Sequence, residues 1–152
     1  MHKELQQKLL KHLQFLEIEV GDCAKFESLT WDEYTADRDR RRNVERWAEN
    51  IINSVIDIAK VILTIESIPL PDSNKEAVRL LSSIKLLGIV DASELADWTR
   101  FRNILAHEYV DIRWKSLERF IRETGPLYKD FVLRTKSYLK KLIDPRNDSP
   151  LH

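Results

Sequence analysis

The sequence predicts an all-α protein folded as one antiparallel bundle of five to six helices. Only three Gly and five Pro occur in 152 residues, whereas charged residues make up 33% and hydrophobic residues 43%. That balance favours long amphipathic helices over turn-rich sheets. Apolar side chains also recur at steps of three and four residues through most of the chain. We expect one core, with a single domain over residues 1–143 and a flexible tail over residues 144–152.

The first three helices are predicted from apolar periodicity and from helix-start signals. A first helix is expected from His2 to about Ala24, with the apolar face Leu5, Leu9, Leu10, Leu13, Leu16, Val20 and Cys23. The segment from Thr30 to Glu33 (TWDE) matches a capping box and opens a short second helix. The strongest periodicity predicts a central helix over about 38–67, with the stripe Val44, Trp47, Ala48, Ile51, Ile52, Val55, Ile56, Ala59, Ile62 and Leu63.

Prolines and a second capping box delimit the next helix. The segment from Ile68 to Asp72 (IPLPD) ends the central helix, because proline lacks an amide donor and disfavours helical geometry in the residue before it. The segment from Ser73 to Glu76 (SNKE) then has the pattern of a helix start. We expect this helix to run to Gly88, where glycine suits a left-handed helix stop.

Two further helical regions complete the predicted bundle. The segment from Asp91 to Glu94 (DASE) is a third start signal, and the helix it opens is expected to continue to Tyr109. A sixth helical region begins near Asp111. The segment from Thr124 to Pro126 (TGP) is expected to break or kink it before the helical pattern resumes.

Charge and cysteine content limit the classes of function. Lys plus Arg and Asp plus Glu both number 25, so the net charge is zero and any contact with nucleic acid must be local. The single Cys23 excludes an internal disulfide framework, and no apolar run has the length of a signal peptide or a membrane span. We expect a soluble cytoplasmic protein without a membrane partner.

The predicted fifth helix carries the most specific motif, from Arg102 to Tyr109 (RNILAHEY). It resembles the HEPN signature of Arg, a polar residue and His, in the Arg-x4-His-x-Tyr form of HepT-like toxins. Other segments also look like that family: Tyr34, the arginine-rich entry 38–46, the segment 54–59 (SVIDIA) and the segment 87–95 (LGIVDASEL). The resemblance covers about residues 5 to 143.

The resemblance implies a HEPN-type homodimer that acts as the toxin of a toxin-antitoxin pair. The implied activity is a metal-independent endoribonuclease that needs no cofactor and cleaves mRNA or tRNA. The implied partner is a minimal nucleotidyltransferase antitoxin, which neutralises the toxin by adenylylation of Tyr109. No Cys/His or His-Glu spacing suggests a metal site, since His2, His12 and His152 lie near the termini.

The residue types suit RNA cleavage without a metal, which needs proton transfer at the 2′-hydroxyl and the leaving oxygen, and positive charge on the phosphate. His107 is suited to proton transfer near neutral pH. Arg102 can hold phosphate oxygens bidentately, and Asn103 can orient the imidazole or the substrate. The expected products are a 2′,3′-cyclic phosphate and a 5′-hydroxyl.

Helix geometry predicts that one subunit holds half a site. At about 100° per residue, Arg102 and His107 lie about 140° apart, whereas Asn103 shares a face with His107. Either the helix loosens near His107 or a second subunit supplies part of the site, as in the dimer that the resemblance implies. On one continuous helix, Tyr109 would lie on nearly the same face as Arg102, where a phosphodiester on its hydroxyl would oppose RNA binding.

Structural roles for the same residues remain open at this stage. As a structural residue, Arg102 would pair with an interior acid such as Asp57. Asp57 itself would either support Arg102 in the site or simply lie on the polar edge of its helix. His107 would interact with the last carbonyls of its helix, and Tyr109 would be an aromatic edge of the core.

Two functional questions also stay open. The arginines at 38–46 (Arg38, Arg40, Arg41, Arg42 and Arg46) would either steer RNA or form a solvated face with the interleaved acids. The alternative to the enzyme is a non-catalytic HEPN dimer that serves as a nucleotide- or partner-binding subunit of a nucleotidyltransferase. The motif favours the enzyme, because a pure interaction module needs no histidine at that place.

Overall fold

The computed structural model describes residues 3–144 and is all helical within that range, which confirms the predicted fold class. Met1, His2 and residues 145–152, with most of the predicted tail, lie outside the described residues. The α-helices are α1 (Lys3–Gly21), α2 (Trp31–Ala36), α3 (Arg38–Ile65), α4 (Asn74–Arg79), α5 (Ala92–Asp97), α6 (Phe101–His107), α7 (Val110–Glu123) and α8 (Gly125–Ile143). Short 3-10 segments occupy Asp22–Phe26, Leu80–Ser83 and Trp98–Arg100.

The central helix α3 is the core of the bundle. It packs against α1, α2, α4, α6 and α7, while α8 packs against α1 and α7. The stripe predicted from the sequence is buried, and residues such as Ile58, Ile62 and Leu63 are fully inaccessible. Each large aliphatic side chain buried in this way contributes about 1.5–3 kcal/mol of hydrophobic free energy. Five of the seven other α-helices therefore pack directly on α3.

Capping interactions fix both ends of α3 and the start of α2. Thr30 and Glu33 form the predicted reciprocal capping box. The Asp37 carboxylate accepts hydrogen bonds from two amides in the first turn of α3. At the other end Ser67 has a positive φ of 57°, and the Ile68 amide donates to the Leu63 carbonyl at 2.8 Å. This pattern is a Schellman motif, and it ends α3 two residues before the predicted boundary.

The predicted fourth helix is interrupted. It ends at Arg79 and continues as a 3-10 segment only to Ser83, because the hydroxyls of Ser82 and Ser83 donate to the carbonyls of the preceding turn. Gly88 does adopt a left-handed φ of 67°, but it does so in a turn beyond the helix and not at its end. The expectation of one helix to Gly88 was wrong.

The predicted fifth helix is also divided. A 3-10 segment over Trp98–Arg100 separates α5 from α6, and the Thr99 hydroxyl donates to the Ala96 carbonyl at 2.6 Å. The rings of Trp98 and Phe101 both pack on Phe120 of α7, with centroids 5.3 and 5.4 Å away. These aromatic contacts anchor the start of α6 against the core.

The predicted break between the last two helices is confirmed. Thr124 ends α7, and α8 begins at once with Gly125 and Pro126 in its first turn. Proline is tolerated there because the first amides of a helix have no partner within the helix. The C-terminal region therefore folds as two helices, α7 and α8, that pack on each other.

Candidate functional site

Helix α6 presents three of the predicted site residues towards solvent. Asn103 and His107 are exposed, and Arg102 is partly buried. None of the three side chains makes a hydrogen bond or an ion pair with another residue in the part of the chain that the structure describes. Side chains without internal partners are free to contact another molecule.

The side chains of Arg102 and His107 leave α6 in different directions. Both belong to the continuous helix Phe101–His107, so their separation of five residues corresponds to about 140° around the axis. Asn103 and His107 are four residues apart and share a face. One subunit therefore offers an imidazole and an amide on one face of α6, and a guanidinium towards another.

Helix α6 ends at His107, which corrects the expectation that the helix continues to Tyr109. Glu108 has extended backbone angles (φ −89°, ψ 162°), and Tyr109 is the N-cap of α7. The helical angle between Arg102 and Tyr109 therefore does not apply. The Tyr109 side chain is 81% exposed and has no hydrogen-bond partner within residues 3–144, so it is not an edge of the core.

A group of three side chains holds the segment between His107 and Tyr109 in place. Arg113 of α7 donates through Nη1 to the Glu108 carbonyl at 3.1 Å and through Nε to the Glu45 carboxylate of α3 at 2.8 Å. The Tyr34 hydroxyl of α2 donates to the same carboxylate oxygen. We call Tyr34, Glu45 and Arg113 the clamp. It connects α2, α3 and α7 to the residue that follows His107.

Burial distinguishes the clamp from a surface ion pair. The side chains of Arg113 and Glu45 are only 21% and 18% exposed, and Tyr34 is fully buried. Burial and the hydrogen bond to Glu45 raise the pKa of Tyr34 to about 12. The phenol is therefore protonated at neutral pH and serves as a donor to the carboxylate.

Asp57 does not pair with Arg102. It lies on the exposed side of α3 and has no ion pair or hydrogen bond in the described region. The proposed interior acid is thus a solvent-facing residue, because its position on the helix points away from the buried stripe. A role for Asp57 in the site stays untested.

The described region was also compared with the requirements of a metal site and of a membrane-spanning helix. Between residues 3 and 144 no group of three or more His, Cys, Asp or Glu side chains is arranged to hold a metal ion. None of the helices in that range combines the length and the hydrophobicity that crossing a membrane requires.

Sequence reasoning missed Arg113 and gave Glu45 only the role of a counter-charge for neighbouring arginines. The two residues are 68 positions apart, and no local pattern connects them. The one usable signal was the family-like Tyr34 just before α3, a tyrosine that needs a partner for its hydroxyl when it is buried.

The helical bundle and the solvent-facing Arg-x4-His motif define a protein of the HEPN class. The chain matches the family model described as ribonuclease HepT-like over residues 15–135, a range that contains the whole motif and the clamp. The chain therefore belongs to the HepT-like family. No individual curated protein matches it.

Proposed function

We propose that this protein is a metal-independent endoribonuclease that acts as a homodimeric toxin. The observation that carries the proposal is the unpartnered set of Arg102, Asn103 and His107 on α6. A buried arginine or histidine with a structural role has a carboxylate or carbonyl partner, whereas these side chains lie at the surface without one. The family match supports activity on RNA.

The proposed reaction is an internal transfer at one phosphate of RNA. His107 accepts the proton of the 2′-hydroxyl, the O2′–P bond forms and the P–O5′ bond breaks. The same imidazole then returns the proton to the departing 5′-oxygen. Arg102 binds the phosphate oxygens and stabilises the charge that develops on them, and Asn103 orients the imidazole or the ribose. The products are a 2′,3′-cyclic phosphate and a 5′-hydroxyl.

The proposed site forms between two copies of the chain. Because Arg102 and His107 diverge by about 140° on one helix, the guanidinium of one subunit acts with His107 of the partner subunit. The exposed face of α6 then lies in the cleft between the subunits. Two equivalent sites result from the twofold symmetry.

A complementation experiment tests both the chemistry and the shared site. Wild type is expected to cleave total RNA into fragments with cyclic-phosphate ends, while Arg102→Ala and His107→Ala are each inactive alone. A re-equilibrated mixture should recover up to about a quarter of the wild-type rate, since half of the dimers are mixed and each of these has one complete pair. Remixing either variant with itself is the control. Absence of cleavage by wild type would refute the proposed ribonuclease activity. An inactive mixture would refute the proposal that two subunits share one site.

We also propose that the antitoxin partner modifies Tyr109. Of the four tyrosines, Tyr34, Tyr128 and Tyr138 are buried and only Tyr109 is exposed. A partner nucleotidyltransferase would join the phenol oxygen to the α-phosphorus of ATP, with release of pyrophosphate and loss of the hydroxyl proton. The adduct places a charged nucleotide two residues after His107, where it opposes the approach of an RNA phosphate.

Replacing Tyr109 by phenylalanine is expected to make the toxin resistant to its antitoxin. The variant keeps the ring but cannot accept the adduct, so co-expression with the proposed nucleotidyltransferase antitoxin should leave growth inhibited. Peptide mass spectrometry should locate an adenylyl group on Tyr109 of wild type. Tyr128→Phe, which changes a buried phenol, is the control and should remain neutralised. Full neutralisation of Tyr109→Phe would refute the switch.

A further inference from the structure

The structure divides the five arginines at the start of α3 into two groups. Two of them stabilise the corner between α2 and α3. Arg40 forms an ion pair with Glu33 at 2.7 Å, and Arg41 donates to the carbonyls of Tyr34 and Thr35, both at 3.1 Å. These two side chains therefore have structural partners.

The other three, Arg38, Arg42 and Arg46, form what we call the arginine stripe. All three are exposed, and none of their side chains makes a hydrogen bond or an ion pair with any residue from 3 to 144. Their spacing of four residues advances only about 40° per step, so they lie within about 80° of each other along roughly 12 Å of α3. They therefore point into solvent from one side of the helix.

No hydrogen bond or ion pair of the stripe's side chains within residues 3–144 stabilises α3. Arg38 is the first residue of the helix, where the positive end of the helix dipole disfavours a cation. Two nearby acids have other contacts, because Asp37 caps the helix and Glu45 belongs to the clamp. The three arginines of the stripe are accompanied by two exposed acids, Asp39 and Glu49.

The stripe is related to the motif on α6 through Glu45, which lies between Arg42 and Arg46 in the sequence. A surface groove of about 550 Å³ is lined by Arg42 and Arg46 together with the acids Asp39, Glu45 and Glu49. The Glu45 carboxylate binds Arg113, which holds the carbonyl of the residue after His107. Two contacts of Arg113 thus connect Glu45, which lies between Arg42 and Arg46 on α3, to the residue that follows α6.

We propose that the arginine stripe binds consecutive phosphates of the RNA strand that enters the catalytic site. The inference rests on the proposed ribonuclease function and adds a binding surface to it. Guanidinium groups bind phosphate oxygens bidentately, and a row of them follows a strand without reading its bases. Because the chain as a whole has no net charge, a local row is needed to attract RNA.

The test measures RNA binding separately from cleavage. A fluorescent single strand of 2′-O-methyl RNA lacks the attacking hydroxyl, so its affinity can be measured by anisotropy over a range of salt concentrations. On single strands, log K falls with the logarithm of the salt concentration by a slope of about 0.7 for each phosphate contact. Removing three contacts should therefore reduce this slope by about 2. The test variant carries Arg38→Gln, Arg42→Gln and Arg46→Gln. Its matched control removes three arginines of exposed ion pairs: Arg79→Gln, Arg122→Gln and Arg134→Gln.

The outcomes separate the stripe from the enzyme. A reduced slope and weaker binding in the stripe variant, with the control close to wild type, support the proposal even if wild type cleaves no RNA. Equal losses in the two variants would show a general charge effect and overturn it. A stripe variant that bound RNA like wild type would also overturn the proposal and would indicate that the arginines contact a protein partner instead. In that case, cleavage of RNA by wild type would still support the ribonuclease function.

Discussion

Replacing His107 by alanine is expected to abolish RNA cleavage and growth inhibition without loss of helicity or thermal stability. The imidazole is exposed and has no partner in the described part of the chain, so its removal leaves no buried group unsatisfied. Its loss removes the group that takes the proton from the 2′-hydroxyl, and general acid-base groups contribute about 10²–10⁴-fold to rates. Gel assays of RNA cleavage and circular dichroism give the two measurements.

His12→Ala is the matched control for this prediction. His12 lies on α1, outside the motif, so its replacement removes an imidazole without touching α6. Cleavage by this variant should match that of wild type. A His107→Ala protein that still cleaved RNA would refute the catalytic assignment, and one that unfolded would show that the histidine supports the fold.

Replacing Glu45 by alanine is expected to have the largest effect on stability among the charged residues discussed. The change leaves Arg113 mostly buried without its carboxylate and removes the acceptor of the Tyr34 hydroxyl. Hydrogen bonds to charged groups contribute about 1.5–3 kcal/mol each, so we expect the free energy of unfolding to fall by about 2–4 kcal/mol. Urea denaturation monitored by circular dichroism measures this difference.

Glu123→Ala supplies the comparison, because it breaks an ion pair with Arg119 that is exposed at both ends. Exposed pairs contribute about 0–1 kcal/mol, so the midpoint of denaturation should hardly change. Tyr34→Phe should lie between the two variants, since it removes one donor and leaves the ion pair. Equal stability of Glu45→Ala and Glu123→Ala would contradict the structural importance of the clamp.

Local signals in the sequence were sufficient to predict most of the fold. The apolar stripe of α3, the capping box at Thr30 and the break at Pro126 each depend on residues within a turn of one another. These three predictions agree with the structure because short-range sterics and hydrogen bonding determine such local features. The helical position of Arg102 and His107 was predicted for the same reason, whereas their catalytic roles stay predictions.

Features that depend on distant residues could not be predicted. The end of α6 at His107 coincides with the contact between Arg113 and the Glu108 carbonyl, and that guanidinium is itself placed by Glu45 on another helix. The division of the arginines likewise depends on α2, which supplies the partners of Arg40 and Arg41. Helical periodicity describes a single helix and contains no information on such contacts.

The position of His107 at the very end of α6 would tie the proposed catalysis to local unfolding. Helix ends open with a much lower free energy than the whole bundle, and here the last turn is held by the Glu108 amide, which donates to the Ile104 carbonyl at 3.0 Å. The contact from Arg113 to the Glu108 carbonyl restrains the same turn from outside the helix. The fraction of molecules with a correctly placed imidazole therefore depends on the opening equilibrium of one helical turn, and hydrogen exchange at the amide of Glu108 would report on that fraction directly.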